Sequence, residues 1–156
     1  MCTIGEREFL VSAAIPFDQV VGEAKPDVSR IIACHCSHEP GLSAERLEQF
    51  FQASKLEPLT DRTVTNPAKL RQLIEECRKS GYSAIEDELA YGVVALAVPV
   101  LDQRGRVVAS LNSSSHSKKI SKAKLVRERL AMLQQLSRQI STDLRGLPGL
   151  SLSATV

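Results

Sequence analysis

The feature that most constrains the fold is the apolar run at residues 93–100, which reads VVALAVPV. A strand with one face in water alternates apolar and polar residues, so this unbroken run predicts a strand buried on both faces. Residues 102–105 are a polar stretch ending in Gly105, which predicts a hairpin turn, and residues 106–112 return as a second strand. A two-stranded hairpin is at best marginally stable in water, so the rest of the chain must cover it.

Helices are predicted both before and after this hairpin. An apolar stripe at residues 47–51 predicts a short helix at residues 44–54. Asn66 followed by Pro67 is typical of a helix start, and Gly81 suits the left-handed position that ends a helix. The apolar face of a long helix predicted at residues 122–145 comprises Val126, Leu130, Leu133, Leu136, Ile140 and Leu144.

The remaining segments are shorter. Residues 82–85 are predicted to be a strand that leads into the acidic segment at residues 86–88, and residues 8–15 and 31–33 are further candidate strands. The hydroxyl-rich residues 112–117 are predicted to form a polar loop, since serine and asparagine favour turns. Together these elements indicate an α/β (α+β) domain in which helices flank a mostly antiparallel sheet.

Composition excludes several classes of protein. A chain of 156 residues with 43% hydrophobic residues is sufficient for one core. Its formal net charge of +2 gives no strong field that would attract nucleic acid. It contains no apolar run of the roughly 20 residues that a membrane span needs, and its first residues do not match a signal peptide. Four irregularly spaced cysteines do not form a disulfide framework, so we expect a cytoplasmic protein.

One segment invites a metal interpretation. Residues 34–38 read CHCSH, and cysteine and histidine are the ligands that zinc prefers. Cys34 and Cys36 are too close together for a structural site, however, and on a strand His35 would point away from both. The sequence therefore favours incidental cysteines and predicts no metal site.

Neither catalysis nor cofactor binding is indicated. His116 follows three serines, but the strained elbow GxSxG of a serine hydrolase is absent, so we expect no catalytic residues. The isolated glycines do not form a phosphate or dinucleotide loop, so we expect no cofactor. Lysines and arginines at residues 118–129 are not interleaved with aromatic residues, which favours a solvated face over a phosphate-binding patch.

Several segments share their order and spacing with a known family. They are GY at residues 81–82, EDEL at 86–89, a glycine at 92, AVPV at 97–100, D-x-x-G-x-V at 102–107 and LN-x-S-x-H at 111–116. In this order they resemble the effector-binding domain of IclR-type bacterial transcription regulators. The resemblance runs from about residue 41 to about residue 144. Within the family the chain looks like regulators of aromatic-acid breakdown, in protocatechuate or 4-hydroxybenzoate pathways.

The resemblance implies a fold, a function and partners. The fold would be GAF-like, and the domain would bind a small organic acid, most simply an aromatic one. That effector would control DNA binding by a winged helix-turn-helix, which this chain lacks, so the chain alone should show no sequence-specific affinity for DNA. Members of the family are dimers that pair into tetramers, so we expect a homo-oligomer.

The resemblance also implies an effector site. By position, Ile85 and Glu86 fall where family members line the pocket, although the apolar Ile85 departs from the polar residue usual there. Ala95 falls at a position where a small residue faces the ligand. Asn112 and Ser114 fall where side chains hydrogen-bond the carboxylate of the effector. Apolar walls with a few convergent polar groups are what a small-molecule site needs.

The first 40 residues depart from the family. In place of the usual segment before residue 41 the chain reads SRIIACHCSHEP, and the preceding helix and strand are not recognisable. We therefore divide the chain into a divergent segment (1–40), the effector-binding domain (41–146) and a loose tail (147–156), and expect a domain incomplete at its N-terminal side. A genuine divergent segment and an upstream change of reading frame both explain the boundary. The alternative function is a stand-alone dimerisation or structural module that binds no ligand.

Overall fold

The computed structural model describes residues 2–4, 7–13, 44–53, 56–105 and 107–145. In chain order, the elements within these ranges are β1 (Cys2–Ile4), β2 (Arg7–Ala13), α1 (Ala44–Ala53), α2 (Pro67–Ser80), β3 (Ser83–Glu86), β4 (Val93–Leu101), β5 (Val107–His116) and α3 (Lys122–Arg145). The candidate strand at residues 8–15 corresponds to β2, whereas the one at residues 31–33 lies outside the described residues.

The strands form one sheet in the order β1–β2–β5–β4–β3, and every neighbouring pair is antiparallel. The hairpin expected from the apolar run is β4 and β5, with β5 at the centre of the sheet. In its turn the amide of Gly105 donates to the carbonyl oxygen of Asp102 (3.2 Å), and Asp102 Oδ1 accepts from the amide of Arg104 (2.8 Å). The expectation of a mixed α+β fold with an antiparallel sheet is confirmed.

The long helix α3 covers one face of the sheet and forms the main core with it. The buried residues of this core are Val94, Leu96, Val98, Val100, Ala109, Leu111, Ile120, Leu125 and Leu133. The alternation along β4 and β5 is what a pleated strand requires when every second side chain faces the helix. The residues assigned to the helix face from the sequence all belong to this packing, with Leu125 as a further fully buried member.

The free edge of β4 is closed by α3. The short strand β3 pairs only with the part of β4 from Val94 to Ala97, so the end of β4 extends past it. There the hydroxyl of Ser137 donates to the carbonyl oxygen of Pro99 (2.5 Å), and Ser141 Oγ accepts from the amide of Leu101 (3.0 Å). These two buried serines supply the hydrogen bonds that a neighbouring strand would otherwise make.

The ends of α2 match the sequence signals. Asn66 Oδ1 accepts from the amide of Lys69 (3.1 Å), Pro67 occupies the first turn, and Gly81 ends the helix at φ 71°. Leu70 and Ile74 are buried on this helix, away from the core under α3.

Helix α1 lies beside α2. The guanidinium of Arg71 pairs with Glu48 of α1 and stacks over the ring of Phe51, 4.8 Å from its centroid. The expected helix at residues 44–54 is thus present as α1, and residue 54 lies outside the described residues.

The polar loop expected at residues 112–117 is wrong. β5 continues to His116, and its end pairs with the beginning of β4 through Leu96 and Ser113, Ala95 and Ser114, and Val94 and Ser115. Cross-strand hydrogen bonds to a buried neighbour outweigh the weak turn preference of serine, because β propensity depends strongly on context. This extension brings the hydroxyl-rich segment onto both faces of the sheet.

Candidate functional site

The face of the sheet opposite α3 carries polar residues within a mostly buried surface. Strand register places Ile85 beside Ala95 and Ala95 beside Ser114, while Asn112 lies beside Ala97 on the same face. We call this surface the polar face, and it comprises Ser83, Ile85, Ala95, Ala97, Pro99, Ser110, Asn112 and Ser114. Four of the five site residues expected from the family resemblance therefore share one face.

Two polar atoms on this face are buried without a partner. Ser110 is 0% exposed and Asn112 is 9% exposed. Among the described residues, neither Ser110 Oγ nor Asn112 Oδ1 has a hydrogen-bond partner. Buried polar groups are nearly always hydrogen-bonded, because leaving one unpaired costs roughly 1–3 kcal/mol. In the part of the chain that the structure describes, these two atoms on one face therefore retain unused hydrogen-bonding capacity.

Glu86, the fifth expected residue, lies on the other side of the sheet. It pairs with Val94, whose side chain belongs to the core under α3. Because side chains alternate along a strand, Glu86 and Ile85 face opposite ways. The structure does not bring Glu86 together with Asn112 and Ser114.

Of the three acidic residues at 86–88, Glu88 is the buried one, with 6% exposure. Asp87 has φ 60°, in the left-handed region, and its Oδ1 accepts from the amide of Gly92 at 2.7 Å. That bond holds the chain reversal that returns the backbone into β4.

Two threonines fasten this acidic turn to the loop before α2. Thr60 Oγ1 donates to the carbonyl oxygen of Asp87 (2.6 Å), and Thr63 Oγ1 donates to that of Glu88 (2.6 Å). Tyr91 adds a bond from its hydroxyl to Asp61 Oδ1 (2.9 Å). These contacts fix the position of Glu88 relative to the end of β3.

Sequence reasoning missed Ser110 and Arg129. The signal for Ser110 in the sequence is a serine inside the otherwise apolar run VVASL. The sequence predicts that Arg129 lies on a solvated face, yet its Nη1 donates to the Oγ of Ser113 (2.6 Å), a residue that is 0% exposed. Helix spacing alone does not reveal such a partner on a strand.

The cysteine and histidine residues at 34–38 lie outside the described residues, so the zinc interpretation is not tested. Within the described ranges, no three His, Cys, Asp or Glu side chains are grouped so that they could hold a metal ion. The helices of that part of the chain are all too short or too polar to cross a membrane.

Comparison with known proteins identifies the family. The family described as bacterial transcriptional regulator IclR, C-terminal, matches residues 41–142. The Pca regulon regulatory protein of Pseudomonas putida is 31% identical over 100 residues, which cover 64% of this chain and 34% of that protein. The chain thus spans about a third of the length of the curated relatives that it matches, 34% in each of two regulators of pca genes.

Solved structures agree on the fold. The inducer-binding domain of a PobR double mutant from Acinetobacter, in complex with 3-hydroxybenzoic acid, has a TM-score of 0.64 at 24% identity and covers 72% of this chain. The IclR protein of Thermotoga maritima has a TM-score of 0.63 at 28% identity, covering 72% of this chain and 44% of that one. The match covers 62% of the PobR chain, so relative to that domain the present chain is partial.

These matches define the class as the C-terminal domain of a bacterial transcriptional regulator. The chain belongs to the IclR family, and the region that matches is its C-terminal domain. The relatives are named as regulators rather than enzymes, so the expectation of a non-enzymatic protein is confirmed. The resemblance to regulators of aromatic-acid metabolism is confirmed too, since regulators of pca genes and of p-hydroxybenzoate hydroxylase are among the relatives.

Proposed function

We propose that this domain senses a small aromatic acid, which binds on the polar face. The observation that carries the proposal is the pair of unpartnered buried atoms, Ser110 Oγ and Asn112 Oδ1. Around them, Ile85, Ala95 and Ala97 supply apolar or small neighbours in register. A mostly apolar site with few polar groups is what orients a small ligand.

The chemistry of the two atoms favours a hydroxybenzoate. Asn112 Oδ1 is an acceptor, so it suits a ligand hydroxyl, while the Ser110 hydroxyl can donate to a carboxylate. The two residues are two positions apart on β5, about 7 Å along the strand, so one aromatic ring can span them. The related PobR domain was solved with 3-hydroxybenzoic acid, a ligand that carries both groups. Ser114 extends the same face and supplies a further hydroxyl.

Glu86 has no part in this proposal, because it faces α3. Its absence from the polar face removes a negative charge that would repel the carboxylate of an acid. We retain Ile85, Ala95, Asn112 and Ser114 as proposed effector-binding residues and add Ser110.

Calorimetry with 3-hydroxybenzoate, 4-hydroxybenzoate, protocatechuate and β-ketoadipate tests the proposal, with unsubstituted benzoate as the control lacking a hydroxyl. Asn112→Ala, Ser110→Ala and Ser114→Ala should each weaken binding about tenfold or more, because each removes a hydrogen bond to a desolvated polar ligand group. Ser115→Ala is the matched control, since Ser115 pairs with Val94 on the opposite face.

If an acid binds and all three substitutions leave its affinity unchanged, the polar face is not the site. If none of the acids binds, the module without a ligand becomes the better description. DNA binding through a winged helix-turn-helix and assembly into dimers or tetramers are proposals for the whole regulator. Light scattering at micromolar concentration tests the second, and a stable monomer would contradict it.

A further inference from the structure

A second site is suggested by a cleft at the end of the β4–β5 hairpin, outside the core of the polar face. It has a volume of about 440 Å³, and its polar lining residues are Ser114, Ser115, His116, Lys119 and Arg129. Pairing between β2 and β5 extends only to Ser113, so this cleft opens beside the part of β5 that continues past β2.

The charge in this cleft is one-sided. Lys119 and Arg129 are cationic, and no acidic residue is among its described lining residues. In the described part of the chain neither cation pairs with a carboxylate, whereas Lys124 on the same helix pairs with Glu128 at 3.8 Å. Two neighbouring positive charges without counter-charge attract an anion.

Arg129 is held in place before any ligand arrives. Its Nη1 donates to Ser113 Oγ at 2.6 Å and lies 3.5 Å from the carbonyl oxygen of Ser114. A guanidinium carries five N–H donors, so these contacts leave others for a ligand. Fixing a flexible side chain in advance lowers the entropy cost of binding.

The opposite wall is also rigid. The imidazole of His116 lies against Gly92 so closely that a Cβ at this glycine would be 2.8 Å from Nε2. His116 Nδ1 accepts from the amide of Lys118 (3.2 Å), and the carbonyl oxygen of His116 accepts from the amide of Lys119 (2.8 Å). The backbone that presents Lys119 is therefore pinned to the end of β5.

We propose that this cleft binds a phosphate group. A phosphate monoester near neutral pH carries close to two negative charges and several acceptor oxygens. These match two cations and the hydroxyl of Ser115, which lies on the α3 side of the sheet, better than a single carboxylate does. The volume exceeds that of inorganic phosphate, so the group would belong to a small phosphate monoester; the diester of a nucleic-acid backbone carries only one negative charge and matches the two cations less well. This proposal does not rest on aromatic-acid binding, since its cations come from α3 and the turn before it.

The test is a titration of the isotope-labelled chain with inorganic phosphate at constant ionic strength, followed by amide chemical shifts. We expect saturable shifts at residues 114–119, and binding about tenfold weaker in Arg129→Gln, because a charge-assisted contact is lost. Arg127→Gln is the matched control: it makes the same change on an exposed residue of the same helix outside the cleft. The Arg127→Gln variant should bind phosphate with the affinity of the unmodified chain.

Lys119→Gln provides an independent variant, since the exposed Lys119 side chain should not affect folding. It should also weaken binding. Phenyl phosphate represents the monoester and a random-sequence DNA duplex represents the diester. Saturation with phenyl phosphate at the same amides supports the proposal, whereas saturation with the duplex but not with phenyl phosphate would overturn it. Three results would each overturn the proposal. They are chemical shifts that rise linearly with phosphate concentration, equal effects of Arg129→Gln and Arg127→Gln, and an affinity for benzoate at these amides equal to that for phosphate.

Discussion

The same substitution at two serines of β5 should change stability in opposite directions. Ser110 and Ser113 are both 0% exposed, and they lie on opposite faces of the strand. Ser113 Oγ accepts from Arg129 at 2.6 Å, whereas Ser110 Oγ has no partner among the described residues. Replacing each by alanine removes one oxygen from an equally buried position, so the difference isolates the hydrogen bond.

The magnitude follows from the state of each hydroxyl. An unpaired buried hydroxyl costs roughly 1–3 kcal/mol, and Ser110→Ala removes this cost. The small void that the substitution leaves cancels part of the benefit, so the free energy of unfolding should rise by about 1 kcal/mol. Ser113→Ala loses a bond to a charged group, but half-buried Arg129 can regain water, so it should lose about 1 kcal/mol. For a chain of this size each change corresponds to about 2–4 °C in Tm.

Urea and thermal unfolding of both variants without ligand measure these changes. A second measurement adds the ligand: a hydroxybenzoate should raise the Tm of the unmodified chain and of Ser113→Ala by more than that of Ser110→Ala, since ligand binding to the native state stabilises it. If Ser110→Ala destabilises as much as Ser113→Ala does, the Ser110 hydroxyl is already satisfied. The argument that it awaits a ligand then fails.

Two further pairs of variants test the contacts that hold both ends of β4 in place. Gly92→Ala and Gly81→Ala both place an L-residue at positive φ, which costs roughly 1–2 kcal/mol. Only Gly92→Ala brings a Cβ to 2.8 Å from the His116 ring, so its denaturant midpoint should fall further. Adding His116→Ala should restore the difference between the two midpoints. Equal losses would mean that the ring simply moves aside. Ser137→Ala and Ser141→Ala should each lower the free energy of unfolding by about 1–2 kcal/mol, because each leaves a backbone group at the edge of β4 unpaired. Unchanged urea midpoints would indicate that water replaces the hydroxyls.

Much of the fold follows from local patterns. The apolar run of β4, the capped ends of α2 and the periodic face of α3 are written in neighbouring residues, and the structure agrees with each of them. The end of β5 was missed because its serines favour turns, and only pairing with β4 makes them a strand. Strand pairing joins residues distant in sequence, which a local pattern does not contain.

The site was harder to predict than the fold. Ile85 and Glu86 are adjacent in sequence, yet strand alternation places them on opposite faces, so assigning both to one pocket required a register the sequence did not supply. The role of Arg129 depends on a strand residue 16 positions earlier. In contrast, Asn112 and Ser114 share a face because they are two residues apart on one strand.

The closed edge of β4 also affects how copies of this protein can meet. An exposed strand edge offers unpaired amides and carbonyls to other chains, and natural sheets protect such edges from aggregation. Here Pro99 has no N–H to offer, its carbonyl oxygen bonds to Ser137, and the amide of Leu101 bonds to Ser141. This stretch of the edge therefore does not template a foreign strand, and self-association by sheet extension there would first require α3 to detach.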